Sequence, residues 1–221
     1  RKTTFLPPPS HDLRTPLGII IGYSTFLKDD AKGELSDHAS QVLTAARQMR
    51  TLLDEMNNLA MLKSDEMVLK PQRAAMQDVL TYACEGIKEV AAMRDQKLIF
   101  AFPEEPFYVN VDLDKTSLAL INLLNNAIRF SSEGSQITVG TINDNNKVLA
   151  WVQDQGIGIP VDKLQKIFEE FYQIEPPNTR HYGGLGIGLT IAKGLIEAQG
   201  GKIWAESEGS GAGTTFKILL P

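Results

Sequence analysis

Leu13, Leu17, Ile20, Ser24 and Leu27 recur at steps of three and four, which places them on one stripe of an amphipathic helix. Residues 29–37, rich in Asp, Lys and Gly, read as a turn. A second stripe follows at Val42, Ala46, Met49, Leu53, Met56 and Ala60, so the first sixty-odd residues form a helical hairpin. Two helices alone bury too little apolar surface. Two such hairpins, each turning its stripes to a shared core, would make a four-helix bundle, so the pattern predicts a homodimer. The alternative is a hairpin packed on the rest of its own chain.

After Lys63 the period changes. Helical patterns at 76–93, 114–130, 161–170 and 187–198 alternate with β-rich runs at 97–102, 136–142, 147–153, 202–205 and 214–219. That is an α/β layer arrangement, with helices covering one face of a mixed or antiparallel sheet. Residues 64–70 are the expected linker, which divides the chain into a helical domain, 1–63, and an α/β domain, 71–221. No internal repeat is present.

Composition narrows the function. A 221-residue chain that is 43% apolar and 22% charged is globular. Its net charge of −5 argues against nucleic-acid binding, which calls for a basic patch. No apolar run is long enough to span a membrane. Cys84 is the only cysteine, so a disulfide, a thiolate zinc cluster and a Cys-x-x-Cys redox site are excluded, and a reducing cytoplasm fits. Because the chain opens on Arg1 and enters a helical pattern almost at once, the expectation is a piece of a longer protein, with further parts elsewhere and a parent that can be membrane-anchored.

Three segments carry candidate chemistry. In the first helix, His11, Thr15, Gly18 and Gly22 share a side roughly opposite the apolar stripe, so His11 should face solvent. An imidazole with a pKa near about 6.5 is largely neutral at pH 7 and has a ring nitrogen free to attack an electrophile. Asp12 can orient it or take its proton. In residues 114–130, Asn122, Asn126 and Arg129 fall at i, i+4 and i+7 on one face of an otherwise apolar helix. Amide oxygens suit a hard cation and a guanidinium suits phosphate, so magnesium triphosphate would satisfy them, as would internal hydrogen bonds. Downstream, a strand delivers Asp154 into a turn containing Gly156 and Gly158, where its carboxylate can accept from an adenine amino group. Gly184, Gly186 and Gly188 then lead into a helix whose free amides can meet phosphate oxygens. The glycine spacing fits neither the dinucleotide fingerprint nor the P-loop.

The string Ser10-His11-Asp12-Leu13-Arg14-Thr15-Pro16-Leu17 closely resembles the phosphoacceptor motif of sensor histidine kinases. The Asn122, Asp154, Ile167-Phe168-Glu169-Glu170-Phe171 and Gly184 regions resemble, in order, the four boxes of that family's Bergerat-fold ATP-binding domain. The resemblance implies that His11 is phosphorylated, with Asp12 as acid/base partner, and that Thr15 positions water to dephosphorylate a response regulator. It implies Asn126 on Mg2+, Asn122 and Arg129 near the phosphates of ATP, and Asp154 on adenine. It also implies a lid containing Gly184, Gly186 and Gly188. Gly211, Gly213, Thr214 and Thr215 resemble the last box, and Thr215 is taken as the threonine near adenine. The implied partners are a second copy and a response-regulator receiver domain. Pro7, Pro8 and Pro9 depart from the family pattern, standing where helix-compatible residues usually join the bundle to its sensor. The rival functions are another Bergerat-fold ATPase, in which ATP closes a dimer, and a non-catalytic module that binds ATP or a partner kinase.

Overall fold

The structure is a computed structural model that describes residues 10–30, 32–64, 67–145, 147–174 and 185–221, with backbone only for 10–16 and 30. The chain divides into two compact units, Arg1–Met67 and Val68–Pro221.

The first unit is a hairpin of α1 (Ser10–Asp30) and α2 (Glu34–Lys63). The connection is shorter than the 29–37 turn expected from its polar composition. Acidic residues suit a helix N-terminus, and Glu34 and Asp37 occupy the first turn of α2. Gly33, at φ 67, makes the sharp entry, and its carbonyl accepts from the Ser36 and Asp37 amides. Leu17 and Ser24 of α1 and Ala39, Leu43 and Ala46 of α2 are buried within the hairpin unit. Of the other described residues of the expected stripes, Leu53 and Ala60 are half-buried and the rest are exposed. Val42, Met49 and Met56, seven residues apart, are 49%, 55% and 47% exposed, and Leu35, Ile20 and Leu27 are similarly open. The buried face of α2 therefore runs along 39, 43 and 46, beside the heptad stripe at 35, 42, 49 and 56.

The second unit contains β1 (Gln72–Ala75), α3 (Met76–Glu85), α4 (Lys88–Ala92), β2 (Lys97–Ala101), β3 (Tyr108–Val111), α5 (Leu113–Phe130), β4 (Gln136–Asp144), β5 (Lys147–Gln153), α6 (Gly188–Glu197), β6 (Lys202–Glu206) and β7 (Thr215–Leu220). β1 and β3 form a two-stranded antiparallel ribbon, and the main sheet runs β2-β4-β5-β7-β6. β2 lies parallel to β4, and the other pairs are antiparallel, so the sheet is mixed. Period-2 alternation sorts its faces. Val139, Val152 and Phe216 stand opposite one another in adjacent strands and are buried against the α3, α5 and α6 layer. Thr138, Gln153 and Thr215 form the neighbouring row on the other face.

Three readings change. The helix expected over 76–93 is two helices, α3 and α4. Gly86 ends α3, donating its amide to the Tyr82 carbonyl, and a side chain there would crowd the Ala83 carbonyl. The helix expected over 161–170 is two 3-10 turns, Val161–Lys163 and Lys166–Phe168, followed by extended Glu169 and by Phe171 at φ 60. Its apolar spacing serves a turn that buries Ile167 and Phe168 while Phe171 stays exposed. β1 and β3, four residues each, are strands outside the expected β-rich runs, although β3 alternates exposed and buried residues.

Candidate functional site

α5 begins at Asp112, whose Oδ1 accepts from the Lys115 amide at 3.0 Å. Leu120, Leu123, Leu124, Ala127 and Ile128 fill the core, and that packing fixes the rotation of the helix. Asn122, Asn126 and Arg129 consequently share a half-buried face. Asn122 donates from Nδ2 to the Leu118 carbonyl at 3.0 Å, which leaves its Oδ1 turned toward α6: a side chain on Gly188 would stand 3.0 Å from that oxygen. The Asn126 carboxamide has no protein partner among the described residues.

Asp154 follows β5 and is 6% exposed. Its Oδ1 accepts from the Gly156 amide at 2.8 Å and the Thr214 amide at 3.1 Å, while Oδ2 has no protein partner among the described residues. Burial raises the carboxyl pKa above the ordinary aspartate value, and the two amide hydrogen bonds pull against that rise. One oxygen is thus held fast and the other is left to accept from a ligand. The turn around Asp154 is tied to its neighbours through the main chain. Asp154 donates to the Thr214 carbonyl at 2.9 Å, Gly213 to the Gly156 carbonyl at 3.1 Å, and Ile157 to the Phe130 carbonyl at 3.1 Å. Gly156 is required by close approach, since a side chain there would meet the Phe130 carbonyl at 2.5 Å. Gly158 has φ 69, and the Gly209 carbonyl occupies the space a side chain would take.

These bonds bring α5 to two of the predicted segments. Phe130, at its C-terminal end, holds the Asp154 turn, and Asn122, two turns earlier, faces Gly188 at the start of α6. Asn126 lies between them, one helical turn from each. Gly186, at φ 74, sits beside the Tyr172 carbonyl ahead of α6. Gly184 lies outside the described residues, as do Pro7, Pro8 and Pro9. A cavity of about 320 Å³ beside Asp154 is lined by Gln136, Thr138, Gln153, Gln155 and residues 211–213, and the polar residues of α5 do not line it.

Thr215 makes no bond to Asp154. Phe216 points into the core, so by alternation Thr215 faces the opposite side of the sheet, paired with Gln153. The residue that meets Asp154 is Thr214, through its amide. The alternation of 216, 218 and 220 was a signal for this in the sequence. Phe130 had no such signal, because it acts through a carbonyl that every residue carries.

α1 carries His11, Asp12 and Thr15, whose side chains lie outside the described residues. One and two turns beyond Thr15 on the same side, Gly18 and Gly22 leave open space where side chains would stand. Among the described residues no three His, Cys, Asp or Glu side chains cluster to hold a metal ion. No described helix is long and apolar enough to cross a membrane.

Residues 1–65 match the His Kinase A (phospho-acceptor) domain family, and residues 111–221 match the Histidine kinase-, DNA gyrase B-, and HSP90-like ATPase family. The chain belongs to the sensor histidine kinase family. Its curated relatives include sensor histidine kinase WalK of Bacillus subtilis, 34% identical over 96% of this chain and 35% of the relative. Sensor protein SrrB of Staphylococcus aureus is 28% identical over 100% of this chain and 38% of its own length. This histidine kinase chain thus spans well under half the length of those relatives. Among solved structures, full-length ShkA in complex with AMPPNP superimposes with a TM-score of 0.78 at 23% identity, covering 96% of this chain and 44% of that one. The histidine kinase fold is shared on both sides of that comparison: helices first, then an α/β sheet unit.

Proposed function

We propose that this chain binds ATP in its second unit and transfers the terminal phosphoryl group to His11, then to an aspartate of a response regulator. Residues 1–63 are assigned dimerisation and phosphotransfer, 64–70 the link, and 71–221 nucleotide binding. The observation that carries the reading is the Asp154 carboxylate, anchored by two amides through one oxygen with the other unpartnered, in a turn bonded to the helix that presents Asn122 and Asn126. Such an acceptor suits the exocyclic amino group of adenine. The phosphates would extend along α5 toward Gly188 and the N-terminus of α6. Asn126 would hold Mg2+ through its amide oxygen, and the ion would neutralise charge on the group being transferred.

A ring nitrogen of His11 attacks the γ-phosphorus, the bond to the β–γ bridging oxygen breaks, and ADP leaves. Asp12 takes the proton that the ring gives up. In the second step a receiver carboxylate attacks the phosphorus and the P–N bond breaks. Thr15 would hold a water for hydrolysing that acyl phosphate. Positioning supplies most of the rate in such transfers. The ShkA complex with AMPPNP and a solved complex of the histidine kinase ThkA with the response regulator TrrA, similar to this chain at 24% identity and a TM-score of 0.68, agree with both halves of this reading. The exposed stripe of Val42, Met49 and Met56 supports a homodimer closed through α2. A dependence on ATP places both units on the cytoplasmic side of the cell.

Incubation with γ-labelled and, separately, α-labelled ATP tests the proposal. Only the γ label should enter the protein, in a form lost in acid and stable in alkali. Steady phosphate release without labelled protein would point instead to a plain ATPase, and binding without labelling to a non-catalytic module.

A further inference from the structure

The last carbonyls of an α-helix have no partner within it. In α5 they are held from two sides. Ile128 O accepts from Gln96 Nε2 at 3.1 Å, Arg129 O from Arg94 Nη1 at 3.3 Å, and Phe130 O from the Ile157 amide at 3.1 Å. Just beyond the helix, Ser131 O accepts from Arg94 Nη2 at 3.1 Å and Gln96 Nε2 at 3.3 Å, and Ser132 O accepts from Gln96 Nε2 at 3.0 Å. One side of this helix end is therefore gripped by two side chains from the turn between α4 and β2. The other side is bonded to the turn that carries Asp154.

Three features mark the grip as specific. The Arg94 guanidinium spans two carbonyls at the negative end of the helix dipole, a geometry for a planar fork that a lysine cannot reproduce. Gln96 Nε2 faces three carbonyl oxygens, so its amide cannot be reversed without setting oxygen against oxygen. Its Oε1 is buried without a partner among the described residues, a cost borne to keep the amide in that orientation.

We propose that Arg94 and Gln96 are positioning residues for the nucleotide site. They set where the last turn of α5 lies, hence where the Phe130 carbonyl holds Ile157, and through that turn the spacing between Asn126 and Asp154. This rests on the nucleotide reading given above, and neither residue touches the nucleotide.

The test uses the full chain with Arg94→Ala, Arg94→Lys and, as a control for stability alone, Leu220→Ala in the remote, fully buried end of β7. Two quantities are read well below each melting temperature: affinity for a fluorescent ATP analogue with Mg2+, and hydrogen exchange at the Ile157 amide. Loss of a charge-assisted hydrogen bond predicts roughly tenfold weaker binding and roughly tenfold faster exchange in Arg94→Ala. Arg94→Lys should fall between Arg94→Ala and the parent, and Leu220→Ala should change the melting temperature but neither reading. If either reading in Arg94→Ala stays within about threefold of the parent, or Leu220→Ala reproduces both changes, the proposal is overturned. Should Arg94→Ala not fold, Arg94→Lys is judged by the same limit. If the parent chain itself binds no nucleotide, the proposed function fails, and the exchange rate of Ile157 alone decides whether the grip positions the turn.

Discussion

The two units solve the burial problem differently. In the second, Met76, Leu80, Leu120, Leu124, Ile191, Leu195, Ile218 and Leu220 are fully enclosed, and each buried strand face meets a helix layer of the same chain. In the first, one stripe of α2 packs within the hairpin while the stripe at 35, 42, 49 and 56 is left about half exposed. A unit that covers its own apolar faces needs no second copy to close its core. A hairpin with an open apolar stripe leaves room for the second copy proposed above.

The largest expected effect separates the units by their chemistry. Asn126→Ala should lower phosphoprotein formation on the order of a thousandfold, through loss of the metal's charge stabilisation. Sedimentation of the variant should show the oligomeric state of the parent. Conversely, Val42→Asp with Met49→Asp would bury unpaired charge in the proposed bundle seam. It should weaken the dimer by a few hundredfold at least, measured by sedimentation equilibrium, with nucleotide affinity retained. A dimer that survives both charges would show that this stripe of α2 is not its seam.

Asp154→Asn sharpens the description of the second unit. The amide reverses the hydrogen-bonding sense toward an adenine amino group, so affinity should fall about ten- to a hundredfold. Stability should behave differently. Burial raises the Asp154 pKa in the folded state, so ionised Asp154 is disfavoured by the fold. Its contribution is fully present below the unfolded pKa and is lost as pH rises through the folded one. At pH 7 the variant should melt no lower than the parent, and the difference should shift toward the parent as pH falls into the carboxylate range. The smallest effect concerns Cys84, whose thiol is pushed up to about 12, chiefly by burial and further by Glu85. It should resist alkylation at pH 8 in the folded chain and react fully once the chain is unfolded.

The polar face of α5 was legible because three polar residues at i, i+4 and i+7 on an apolar helix can face only one way once the core is packed. The sheet was legible wherever a strand was long enough to alternate, as in β4, β5 and β7. Less was readable where a few residues served a turn: Ile167 and Phe168 have helical spacing with their neighbours but sit in a 3-10 turn. The Thr214–Asp154 bond joins a main-chain amide to the Asp154 carboxylate across residues 60 apart, so the type of residue 214 carried no trace of it. Arg94 and Gln96 were silent for the same reason, since what they hold is the end of another helix. The open stripe of α2 was anticipated only in part: Val42, Met49 and Met56 were in the expected pattern, but which residues would turn inward within one hairpin was not.

Peptide mass spectrometry of the chain after incubation with Mg-ATP, under alkaline work-up, tests most directly whether the γ-phosphoryl group of ATP comes to rest on His11. A single phosphoryl group on the peptide containing His11, absent from His11→Gln, is the predicted result. Phosphate found on another residue, or an unchanged yield in His11→Gln, would contradict it.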